Sequence, residues 1–86
     1  MANEKITARV LTSGSSNVPG MLNVTLGWRL TAPINNIVEE NGSPFDVDPN
    51  QTDTEIEASL RTQLAEYVSN LVGQTFTSED IRGCKL

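Results

Sequence analysis

Between Met21 and Ala32 the chain alternates so regularly that an extended strand is the natural conformation. Leu22, Val24, Leu26, Trp28 and Leu30 fall on one side of it, and Asn23, Thr25, Gly27, Arg29 and Thr31 on the other. A strand with one apolar face needs cover from elsewhere in the chain. Residues 54–72 supply it. At about 100° per residue, Ile56, Leu60, Leu64, Tyr67, Val68, Leu71 and Val72 share one contiguous arc of a helix. Thr54 with Glu57, or Thr52 with Glu55, makes a capping box at its start, and Gly73 stands where a left-handed residue ends a helix.

The remaining segments are shorter. Ile6, Ala8 and Val10 alternate with Thr7 and Arg9, which predicts a strand over 5–12. Residues 13–20 are small and polar and read as a loop; Pro33 removes a ladder donor and should end the strand 21–32. Asn41-Gly42, flanked by Ile37-Val38 and Phe45-Asp46-Val47, predicts a small hairpin over 37–47 that projects as an arm. A turn at Ser78-Glu79-Asp80 and a short carboxy-terminal strand, around Phe76 or at 84–86, complete the chain. The expected architecture is α+β: one small two-layer domain over residues 1–86, with an antiparallel β-sheet covered on one face by a single amphipathic helix. Eighty-six residues make one domain with a modest core.

Composition narrows the function. The chain has no histidine and one cysteine, Cys84, which removes Ser-His and Cys-His pairs, histidine metal sites and an intrachain disulfide. Catalysis would rest on carboxylates, Tyr67, two lysines or a lone thiol, so the expected role is not that of an enzyme. No stretch of 18 apolar residues is present and the amino terminus has no apolar secretory core, so neither a membrane nor secretion is expected. A cytoplasmic or virion-associated location fits.

Charge is unevenly distributed. Residues 33–57 carry Glu39, Glu40, Asp46, Asp48, Asp53, Glu55 and Glu57 without a basic residue, while the whole chain has a net charge of −5. That sign disfavours direct binding of nucleic acid and suits a basic partner surface, a cation, or solubility alone.

Three functional readings follow. The first is a structural or interaction protein acting within a homo-oligomer or larger assembly, as small virion- or phage-type accessory proteins do. Its contacts would come from Ile37, Glu39, Glu40 and Phe45 on the projecting arm and from Arg9, Thr25 and Arg29 on the polar sheet face. The second is a calcium-binding module. Asp46, Asp48, Asn50, the Thr52 carbonyl and Glu57 occupy positions 1, 3, 5, 7 and 12 of a spacing that resembles an EF-hand loop. Gln51 replaces the glycine that such a loop needs for its sharp turn, and no helix precedes Asp46. Calcium is the one cofactor this sequence suggests. The third is an acidic inhibitor of a protein with a basic site.

Overall fold

The computed structural model describes residues 5–86 and shows a four-stranded mixed sheet with one helix packed on one of its faces. Strands β1 (Ile6–Ser15), β2 (Leu22–Ile34) and β3 (Ile37–Val47) precede helix α1 (Asp53–Val72), a 3₁₀ turn at Ser78–Asp80 and strand β4 (Ile81–Gly83). The sheet order is β3-β2-β1-β4. β1 and β2 are antiparallel, as expected; β3 adds antiparallel to β2, and β4 joins β1 in parallel, so the sheet is mixed rather than wholly antiparallel. The direction of β4 follows from α1. The helix runs back along the sheet, so the chain emerges at the end where β1 begins, and Ile6 pairs with Ile81.

Residues 37–47 do not form a hairpin of their own, and no arm projects. They run as a single edge strand paired along β2. The turn lies earlier, at Asn35-Asn36, where φ values of 52° and 67° match the two left-handed positions of a type I′ turn. Asparagine tolerates that region, and Ile34 and Ile37 close the turn as partners. Asn41-Gly42 is instead a bulge: the register slips between Leu26↔Ser43 and Gly27↔Asn41, with Gly42 at φ 137°. Pro33 does not end β2 either; it falls in a second irregularity, between Arg29 and Ile34.

The core lies between β1, β2 and β3 below and α1 above. Ile6, Val24, Leu26 and Val47 from the sheet meet Leu60, Leu64 and Val68 from the helix, each 1% exposed or less. Burying each such side chain contributes about 1.5–3 kcal/mol. Tyr67 and Leu71 sit on the rim of the helical arc, and Ala65 takes a buried place in it. The helix starts at the earlier of its two cap registers. Thr52 Oγ1 accepts from the Glu55 N–H, and Glu55 Oε1 accepts from the Thr52 N–H. It ends at Gly73 with φ 73°. Asn35 Nδ2 donates to the Val72 carbonyl at 2.9 Å, tying the β2–β3 turn to the helix end.

After α1 the chain closes the core without a strand at 74–77. Phe76 is buried, and its N–H donates to Ser69 Oγ at 2.8 Å. The last strand is 81–83 rather than 84–86, because Cys84 takes a left-handed φ of 61° that turns the chain off the sheet edge. Among the described residues no helix is long and apolar enough to cross a membrane.

Candidate interaction surface

The face of the sheet opposite α1 carries no covering layer. Because Ile6 and Ala8 point into the core, Thr7 and Arg9 point out, and pairing fixes their neighbours. Arg82, Thr7, Arg29 and Glu39 form one row across all four strands. Arg9, Gly27 and Asn41 form the next. Among the described residues the guanidinium groups of Arg9, Arg29 and Arg82 make no hydrogen bond or ion pair. All three residues are exposed.

The rows enclose a shallow depression of about 260 Å³ bordered by Thr7, Arg9, Arg29, Glu39 and Asn41. Gly27 makes this region flat. A Cβ there would lie 2.9 Å from Asn41 Oδ1 and 3.4 Å from both Leu11 methyl carbons, so the two neighbours close over bare backbone.

Of the residues proposed from sequence, Arg9, Thr25, Arg29 and Glu39 come together on this face. Ile37, Glu40 and Phe45 do not. Ile37 and Phe45 are half-buried against the core on the helix side. Glu40 belongs to an internal network: Trp28 Nε1 donates to Ser43 Oγ at 3.1 Å, and Ser43 Oγ donates to Glu40 Oε1 at 2.9 Å. Tyr67 OH donates to the same Oε1 at 2.7 Å. Its ring stands edge-on to Trp28 and Phe45, with centroids 6.3 and 5.9 Å away. The bond to Glu40, with burial, holds the Tyr67 phenol above its usual pKa range. Leu11, Gly27, Asn41 and Arg82 were not singled out in the sequence. Alternation places Leu11 and Gly27 on this face, whereas the bulge in β3 places Asn41 and the pairing of β4 with β1 places Arg82.

The calcium register is not assembled. Asp46 Oδ1 accepts from Ser16 Oγ at 2.7 Å and from Asn23 Nδ2 at 3.2 Å. Asp48 accepts from the Asn50 N–H in a local turn, Thr52 caps the helix, and Glu57 faces the Leu86 N–H at 3.5 Å. Among the described residues no group of three acidic or thiol side chains gathers to hold a metal. Cys84 is buried, and burial pushes its thiol up to about 11, with Arg61 opposing and Glu57 adding to the shift. It is a protonated core thiol at neutral pH.

The two sheet edges differ as well. The outer edge of β3 is broken by the Gly42 bulge and by Pro44, which has no N–H, and it carries Glu39 and Asp46. On the other side β4 covers β1 only from Ile6 to Ala8, so the outer edge from Arg9 to Ser15 has no ladder partner among the described residues. Comparison of the chain with protein-family models, with curated proteins and with solved structures finds no match.

Proposed function

We propose that this protein is a non-enzymatic interaction module that works within a homo-oligomer or a larger assembly and presents the open face of its sheet to a protein partner. One observation carries the reading: Arg9, Arg29 and Arg82 stand exposed beside Glu39 on an uncovered sheet face, with no hydrogen-bond or ion-pair partner among the described residues. Exposed guanidinium groups present planar forks suited to carboxylates. The partner is protein rather than nucleic acid. The chain's net charge of −5 repels a polyanion, and its aromatic side chains Trp28, Phe45 and Tyr67 cluster on the helix side, away from the open face. A cytoplasmic or virion-associated assembly is the setting we favour.

Light scattering on the purified chain tests this directly. A defined mass above that of one chain, or capture of a protein partner that Arg9→Glu with Arg29→Glu abolishes, is the expected result. A monomer whose binding to every partner survives that double reversal would sink the reading.

A further inference from the structure

The two layers of this fold carry opposite charge. The open sheet face holds Arg9, Arg29 and Arg82 against Glu39. The solvent side of α1 and the loop leading into it holds Asp48, Asp53, Glu55 and Glu66, all exposed. Arg61, the one basic residue of the helix, turns away to donate to the Gly83 carbonyl at 3.4 Å. We infer that the open sheet face of one copy docks the outer face of α1 of a second copy, head to tail, an inference that rests on the assembly role proposed above and names its partner.

Shape supports the pairing. Along the outer stripe of α1, exposed Ala58 and Thr62 lie between Glu55 and Glu66, so the stripe is narrow at its centre and acidic at its ends. On the sheet face Asn41 and Leu11 close over Gly27 at the centre, and the arginines stand around them. The 20-residue helix is about 30 Å long. The 10-residue β1 is about 33 Å long, so a helix laid along the face stays within it. Carboxylates eleven residues apart on the helix span about 16 Å. Arg82 and Arg29 flank β1 about 10 Å apart across the strands, so a helix laid along β1 runs between them.

The other self-pairings are disfavoured. Two open faces stacked on one another would bring like arginines together, and the β3 edge is blunted by Pro44 and its acidic side chains. The helix-on-sheet contact is heterologous, so each copy keeps one unused surface of each kind, and growth continues to a ring or a filament.

The test is sedimentation velocity on the full chain at an ionic strength of about 0.02 M and again at about 0.5 M, where the screening length falls from about 20 to about 4 Å. Multimers that grow with concentration at low salt and dissociate at least about tenfold more readily at high salt are expected. Arg9→Glu with Arg29→Glu, and separately Ala58→Lys with Glu66→Lys, should each remain monomeric. An equimolar mixture of the two variants should restore multimers, because the native helix face of one meets the native sheet face of the other and the two reversed faces are also opposite in charge. Thermal melts confirm that both are folded, and the salt dependence of the unaltered chain decides the matter if either is not. A multimer indifferent to salt and to both double reversals overturns the head-to-tail contact while leaving assembly in place. A chain that stays monomeric at low salt, yet shifts a single-stranded oligonucleotide through Arg9 and Arg29, overturns both readings.

Discussion

The covered and the open faces of the sheet share one backbone and alternate residue by residue along β1 and β2. On the covered side Ile6, Val24 and Leu26 are fully buried, and their contacts with Leu60, Leu64 and Val68 of α1 hold the domain together. On the open side Thr7, Arg9 and Arg29 are exposed, and the guanidinium groups have no partner among the described residues. Adjacent residues therefore have separate consequences. Glu39 is an exposed neighbour of Arg29, whereas Glu40, one residue on, sits in the Trp28–Ser43–Tyr67 network beneath the rim of the helix. The lesson is that burial and exposure divide here by strand parity rather than by segment.

That division can be broken most forcefully from the covered side. Leu64→Ala removes a fully buried side chain at the centre of α1 and should lower stability by about 2–5 kcal/mol, read from urea unfolding midpoints. An effect below about 1 kcal/mol would mean that the two layers are not closely packed.

Alkaline pH comes next. The Cys84 thiol titrates at about 11 when folded against an ordinary 9.0, so above pH 9 the unfolded chain loses this proton first. Stability is then fully present below pH 9 and declines as pH rises toward 11. The loss is on the order of 2–3 kcal/mol for this group, with Tyr67 acting in the same sense. Cys84→Ala should flatten the decline when melts at pH 7, 9 and 11 are compared.

Ser43→Ala is a smaller test of the rim. It leaves the buried Trp28 N–H without its acceptor and should cost about 1–3 kcal/mol, with a shift in tryptophan fluorescence. The smallest stability effect belongs to the open face. Arg9→Ser with Arg29→Ser should change the unfolding midpoint by less than about 0.5 kcal/mol while abolishing association. A large loss of stability in that variant would show that the open face is part of the scaffold after all.

These faces were legible in the sequence to the extent that burial imposes a period. The alternation of residues 21–32 and the arc of 54–72 persist because a core selects one side chain in two along a strand and a stripe along a helix. Turn chemistry was harder to read, since Asn35-Asn36 and Asn41-Gly42 both satisfy the preferences of a left-handed turn. Only long-range pairing with β2 selects the first as the turn and makes the second a bulge. The placement of Arg9, Thr25 and Arg29 on one sheet face followed from alternation, whereas the projecting arm did not form, and Ile37, Glu40 and Phe45 lie against the core or in the rim network. Arg82 had no local periodicity to mark it, because β4 spans three residues.

The parallel pairing of β4 with β1 also has a kinetic side. Ile6 and Ile81 lie 75 residues apart, and closing that loop costs about 2 kcal/mol more chain entropy than closing the six-residue connection from β1 to β2. With three residues of ladder to offset it, β4 should join late during folding and detach early. Cys84 sits at its end, sealed while the strand is docked. Thiol-labelling rates in the native state therefore act as a clock for the opening of this corner, read without unfolding the rest of the domain.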